Sequence, residues 1–225
     1  MKNNTKTKNF FIVLEGPDGV GKSTLIKLLE QKLEKDNFPI KITQEPQKNF
    51  PLREKLLISS MKLSPLTETL MFILDRHMHW NSLENWKKNQ HSTRTITLCD
   101  RYFYSTFVYQ GLLGKIPFNQ LKILHKNSGT WNIPDLVFFL DVHNSQLLQT
   151  RIKQKQLYHD RFHDKINGKI PDLIKYYHEV MDYFRKENPP HPIVLIDCSK
   201  SIEKIVEEMY QKIMKMISTH ELSNS

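Results

Sequence analysis

Gly16-Pro17-Asp18-Gly19-Val20-Gly21-Lys22-Ser23 fits G-x-x-x-x-G-K-[ST] at every fixed position, with Thr24 next in the chain. The five residues before it, 10–14, form an apolar run, and 23–35 carry a helical pattern. Strand, glycine-rich turn and helix together make a phosphate cradle. The glycines let consecutive backbone N–H groups turn inward onto phosphate oxygens, and the helix N-terminus adds a favourable partial charge. Lys22 supplies a point charge for the β- and γ-phosphates, and the Ser23 hydroxyl suits a Mg²⁺ carried by the nucleotide. Three of the chain's seven glycines fall within positions 16–21. Residues 16–24 are therefore expected to bind ATP with Mg²⁺. The chain has no Asn-Lys-x-Asp guanine-reading motif, which argues against a GTPase; the loop alone does not separate a kinase from a motor ATPase.

Four more short runs, 40–43, 95–99, 136–140 and 193–196, are rich in β-branched or aromatic residues, as buried parallel strands are. Between the runs lie helical patterns at 65–88, 102–112, 117–126, 145–156, 171–186 and 201–217. The last has Ile202, Ile205, Val206, Met209, Ile213 and Met216 on one stripe. Alternation of this kind predicts an α/β fold, with five parallel strands and helices on both faces. Ligands then sit beyond the carboxyl ends of the strands. The expected organisation is a tail at 1–9, one domain over 10–220 with a lid at about 151–170, and a second tail at 221–225.

The chain has 225 residues, enough for one sizeable core. No apolar run reaches the roughly 18 residues of a membrane span, and 10–14 is too short for a signal-peptide core. A cytoplasmic protein without a membrane partner is expected. Cys99 and Cys198 adjoin apolar runs and read as unpaired thiols. The net charge of +9 raises the question of a nucleic-acid partner. The lysines are dispersed, however, and the chain has no alanine while Lys, Asn, Ile and Leu abound. That pattern points to a biased codon usage, so no nucleic-acid partner is inferred.

The acceptor must be read elsewhere. The run 95–99 ends in Asp100-Arg101-Tyr102, followed by Ser105-Thr106-Phe107-Val108-Tyr109-Gln110-Gly111. An Asp at the tip of a strand beside the phosphate loop suits a Mg²⁺-organising carboxylate. Arg101 offers a bidentate fork for a phosphate. Phe72 and Arg76 lie four apart on one helical face, an aromatic plane and a planar cation able to grip a base. Taken alone, Phe72 and Tyr109 would be core residues and Arg76 a surface partner of Asp75 or Glu68. His77 and His79, beside Trp80, would lie at the surface or an interface.

These pieces closely resemble the thymidylate kinase family. The match runs from Leu14-Glu15-Gly16 through Glu45-Pro46, Phe72 with Arg76, and Asp100-Arg101-Tyr102 to Tyr109-Gln110-Gly111. It continues through Pro134-Asp135-Leu136, Leu140-Asp141-Val142 and Asp160-Arg161-Phe162 to Ile196-Asp197. The resemblance implies a P-loop kinase that transfers the γ-phosphoryl group of ATP to dTMP, and a homodimer formed through helices. It implies that Phe72 stacks on thymine, Arg76 bonds O4, Thr106 reads the base edge, and Tyr109 lies beneath the deoxyribose. Arg101 would hold the dTMP phosphate, Asp18 would contact the acceptor, and Ser23 and Asp100 would organise Mg²⁺. Glu45, Ser105 and Gln110 join the substrate set. No basic residue occupies the variable positions of the phosphate loop, so charge on the transferring group must be met from the lid. Arg161 is the first candidate, ahead of Arg151, Lys153 and Lys155.

The chain departs from the family pattern in two places. Gln44 stands where Arg often precedes Glu-Pro, removing one anion contact that Lys41 or Lys48 would have to replace. His163 stands where Glu is usual, in a lid lengthened by an Asn167-Gly168 turn. Two other functions compete: a deoxyribonucleoside kinase using Glu45 as base, and a non-catalytic P-loop nucleotide-binding relative.

Overall fold

The computed structural model describes residues 8–57, 62–92, 94–142, 145, 146, 148, 150 and 170–222. Five strands form one parallel sheet in the order β2-β3-β1-β4-β5: β1 Lys8–Glu15, β2 Ile40–Gln44, β3 Arg94–Asp100, β4 Leu136–Asp141 and β5 Ile193–Asp197. All six residues of β4 are buried, as are the last six of β1, so both faces of the sheet centre are covered by helices. This is why those runs read as continuous apolar stretches rather than alternating ones. The edge strands β2 and β5 are only half-buried.

The strand order reverses at β1. Register levels Leu14 with Asp100 and Gln44 with Asp100, so the carboxyl ends of β1, β3 and β2 meet at one rim. That rim is the crevice where open α/β sheets bind ligands.

The helices are α1 Lys22–Leu33, α2 Arg53–Leu57, α3 Pro65–Lys88, α4 Phe103–Thr106, α5 Phe118–Asn127, α6 Ile170–Arg185 and α7 Ile202–Leu222. Helix α3 starts where its sequence says: Ser64 Oγ accepts from Thr67 N at 3.1 Å, and Pro65 sits at the first position. Helix α1 lies against α7, with Lys32 paired to Glu207 and Tyr210 bonded to Asp36.

Four differences from the expected elements have physical causes. Strand β1 begins at Lys8, taking two residues from the predicted tail, because Asn9 Oδ1 accepts from Thr95 and Thr97 and Lys8 pairs with Asp135 at 2.6 Å. Helix α7 runs on to Leu222, past the end of its apolar stripe. Helix α2 is one short turn, too brief to show a period. The predicted helix over 102–112 is α4 followed by a wider π-helical segment, Phe107–Leu113, with Gly114 N bonded to Tyr109 O at 2.9 Å. A Cβ at Gly111 would come within 2.8 Å of the Phe118 ring, so the segment passes α5 only because that residue is glycine. Such widened turns concentrate at functional sites, and this one carries Tyr109 and Gln110. Most of the predicted helix 145–156 and the lid lie outside the described residues.

Candidate active site

The phosphate loop joins β1 to α1. Gly16 has φ +146°, and a Cβ there would stand 2.9 Å from the Leu140 carbonyl, so only glycine fits. Lys22 is buried, and its Nζ donates to the carbonyls of Gly16 and Pro17, both at 2.9 Å. Burial first, and then Arg101, push its ammonium below the ordinary lysine value, while Asp100, Asp18 and Glu15 act the other way. Val20 belongs to the core and Thr24 is exposed on the first turn of α1. Ser23 Oγ donates to Asp100 Oδ2 at 3.2 Å, and Asp100 Oδ1 is buried with no hydrogen-bond partner among the described residues. A hydroxyl oxygen beside an unsatisfied carboxylate oxygen is the hard donor set that a phosphate-borne Mg²⁺ uses.

A cavity of about 280 Å³ opens from this loop. Its phosphate end is lined by Asp18, Gly19, Gly21, Lys22, Ser23, Asp100 and Arg101. Its far end is lined by Glu45, Phe72, Arg76, Tyr102, Ser105, Thr106, Tyr109 and Gln110, with Gln44, Pro46, Arg53 and Leu57 along one wall. The structure thus gathers the expected acceptor residues from the end of β2, α3, the tip of β3, α4 and the π-helical segment. Arg151 and Arg161 lie outside the described residues.

Arg101 has φ +68°, an uncommon conformation for a residue with a side chain. Its Nη2 donates to Asp18 Oδ1 at 2.6 Å, and its Nη1 donates to Ser105 Oγ at 2.9 Å and to the Tyr177 hydroxyl. Beneath it, the fully buried Glu15 accepts from Tyr102 N at 2.7 Å and from Ser105 Oγ at 2.8 Å, fixing the turn that presents Arg101. Burial pushes the Glu15 carboxyl above its ordinary value, against the pull of Arg101 and these hydrogen bonds. Ser105 is therefore part of the Arg101 support as well as the cavity wall. The supporting residues Glu15 and Tyr177 were not singled out from sequence: Glu15 stood only inside a motif string, and Tyr177 comes from α6, 76 positions away.

Arg76 is 1% exposed rather than on the surface, and its partner is Glu45, not Asp75 or Glu68. Arg76 Nε and Nη2 both reach Glu45 Oε2, at 2.7 and 2.6 Å, and the guanidinium lies over the Tyr102 ring at 4.9 Å. His79 is also buried: its Nδ1 lies 2.9 Å from Glu45 Oε1 and its Nε2 2.8 Å from Thr43 Oγ1. The apolar stripe of α3 hid both burials, because α3 packs polar groups inward at this level. His125 Nδ1 lies 3.3 Å from Arg76 Nη1, and burial and Arg76 push that imidazole down to about 2. His77 is exposed, as expected.

Gln44 cannot supply an arginine's charge; Lys41 and Lys48 line a neighbouring cleft of about 420 Å³ instead. Arg53 lines the cavity itself, on α2, with Nη1 donating to the carbonyls of Pro46 and Gln47. Sequence reading missed it because nothing in a single five-residue turn marks which face looks inward. Among the described residues no group of three or more His, Cys, Asp or Glu could hold a metal unaided, and no helix is long and apolar enough to cross a membrane.

The sequence model of the thymidylate kinase family matches residues 14–209. A thymidylate kinase of Staphylococcus epidermidis is 29% identical over 214 residues, covering 92% of this chain and 98% of its own. One from Mesoplasma florum is 32% identical over 212 residues, covering 92% and 96%. One from Bradyrhizobium sp. is 32% identical over 216 residues, covering 93% and 91%. Matched over most of its length by the model of that family, the chain belongs to the thymidylate kinase family.

Proposed function

We propose that this chain transfers the γ-phosphoryl group of ATP to the 5′-phosphate of dTMP, giving dTDP. The observation that carries the reading is that one cavity, opening onto the phosphate loop, is lined by both a donor and an acceptor able to read a base. Arg76 can only donate, and Gln110 Oε1 is a buried acceptor with no partner among the described residues. Thymine presents O4, an acceptor, next to N3–H, a donor. Phe72 supplies a face for the ring, Thr106 borders its edge, and Tyr109 lies where the deoxyribose would rest.

Charge organises the rest. Arg101 and Arg53 hold the acceptor phosphate, and Asp18, now on Arg101, turns to the acceptor as the phosphate replaces it. Lys22 exchanges its two carbonyl partners for β/γ-phosphate oxygens. Ser23 and Asp100 would hold Mg²⁺, which when bound neutralises phosphate charge and orients the chain of phosphates. The acceptor is already an anion, so transfer needs alignment and charge neutralisation rather than a strong base. Arg161, with Arg151 as the next candidate, meets the charge that develops on the transferring group.

Glu45, the residue placed to act as base in a nucleoside kinase, is fully engaged with Arg76 and His79 and is not free to deprotonate a nucleoside hydroxyl. A coupled assay of ADP release across the nucleoside monophosphates, with thymidine alongside, tests the assignment. dTMP should be the preferred acceptor and thymidine inert; turnover of thymidine, or of no acceptor, would reject it.

The same reading includes a homodimer. Leu66, Leu70, Leu74 and Met78 recur every four residues on the outer face of α3, each 40–49% exposed, a stripe suited to a second copy of itself. Leu70→Glu should convert a dimer into a monomer by analytical ultracentrifugation. We place the reaction in the cytoplasm, in keeping with two cysteines that form no disulfide.

A further inference from the structure

Gln110 is fully buried and lines the base end of the cavity, and its two amide ends are treated differently. Nε2 donates to Glu68 Oε2 at 3.0 Å, whereas Oε1 has no hydrogen bond among the described residues. Glu68 comes from the first turn of α3 and is itself fully buried. A glutamine amide can turn over with almost no change in shape, exchanging its donor end for its acceptor end. Here the turned-over amide would set oxygen against carboxylate oxygen and forfeit a charge-assisted bond. A carboxylate only accepts, so it permits one orientation.

We propose that Glu68 is a positioning residue for base selection: by holding the Gln110 amide with Oε1 left as acceptor, it favours pyrimidines that carry N3–H over those whose N3 is a lone pair. The proposal rests on the base site described above. Thymine and uracil both offer N3–H. Cytosine offers a lone pair at N3, which against Oε1 would leave two buried acceptors facing each other. Arg76 reads the neighbouring 4-position; position 3 is read by Gln110 through Glu68.

Glu68→Gln tests this, because a near-isosteric amide can donate or accept and satisfies Gln110 in either orientation. The ratio of kcat/KM for dTMP to that for dCMP should fall about tenfold, the size of one relieved mispairing. The dTMP to dUMP ratio should stay within about twofold, since those bases share the edge being read. The exchanged pair, Glu68→Gln with Gln110→Glu, keeps an acceptor-only group toward the base and should return the dTMP to dCMP ratio to within about threefold of the parent. An unchanged ratio in a folded Glu68→Gln enzyme overturns the proposal. So does an equal fall in the dTMP to dUMP ratio, which marks general distortion. If Glu68→Gln fails to fold, the exchanged pair decides: a parental ratio supports the proposal and a lost one refutes it. Gln110→Leu separates this from the site itself. An unmoved KM for dTMP there rejects the base site and the proposal together. A raised KM beside an unchanged Glu68→Gln ratio rejects the role of Glu68 alone.

Discussion

Replacing Glu45 by Gln should unfold this protein more readily than it slows it. Arg76 is 1% exposed, and two of its nitrogens converge on one Glu45 oxygen at 2.6–2.7 Å. The other carboxylate oxygen faces His79. Glu45→Gln keeps the shape but removes the counter-charge, leaving a guanidinium buried with only a neutral amide. Breaking one side of such a pair costs about 3–5 kcal/mol, because the remaining charge stays desolvated. Against a total of about 5–15 kcal/mol for a domain, that is a large fraction. Urea unfolding followed by far-ultraviolet circular dichroism should show a lower midpoint with an unchanged slope. Turnover per folded molecule, at saturating dTMP, should fall by less than about tenfold, since Glu45 has no part in moving the phosphoryl group. The opposite pattern refutes the reasoning: a loss under about 1 kcal/mol with kcat down about 10³-fold would make Glu45 a base.

Lys22→Ala should abolish turnover with the fold intact, checked by coupled assay and circular dichroism; retained activity within about tenfold would contradict its role at the phosphates. Tyr109→Ala should raise the kcat/KM of ribothymidine monophosphate relative to dTMP, and an unchanged ratio would leave Tyr109 as packing only. Arg161→Ala should lower kcat about 10²–10³-fold with little change in the KM for dTMP, while Arg151→Ala, the control, should be milder; the reverse order would move the assignment within the lid. His125 is held far below its ordinary pKa, at about 2, so the unfolded chain takes up a proton below about pH 6.5 that the folded one refuses. Stability should therefore fall as pH drops from 6.5, and His125→Gln should remove about 1.4 kcal/mol per pH unit from that slope between pH 6 and 4.

The sheet was legible because its signals are local. A buried parallel strand is a short apolar run, and the loop between β1 and α1 is held by glycines whose spacing is itself the motif. Those cavity residues that fall between Asp100 and Gln110 were legible too, since they form one continuous block. Orientation and partnership were not. Glu45 meets Arg76 across 31 positions, Glu68 meets Gln110 across 42, and Tyr177 meets Arg101 across 76. No periodicity encodes such pairings; they exist only once α3, the π-helical segment and α6 are packed together. The widening after Thr106 was hidden for another reason: 102–112 still places apolar residues on one side, and a helix of slightly different pitch leaves nearly the same stripe. Arg53 was overlooked because a single turn has no period to read.

The cations of this site already hold partners from the chain itself. Lys22 rests on two carbonyls, Arg101 on Asp18, and Arg76 on Glu45. A lone anion such as orthophosphate must therefore displace a partner already in place and gains little by arriving. A nucleotide brings stacking and base hydrogen bonds that an inorganic ion lacks, and these can outweigh the exchange. Such an enzyme should work nearly unhindered in a phosphate-rich medium, its positive charges screened from passing ions until the right molecule trades places.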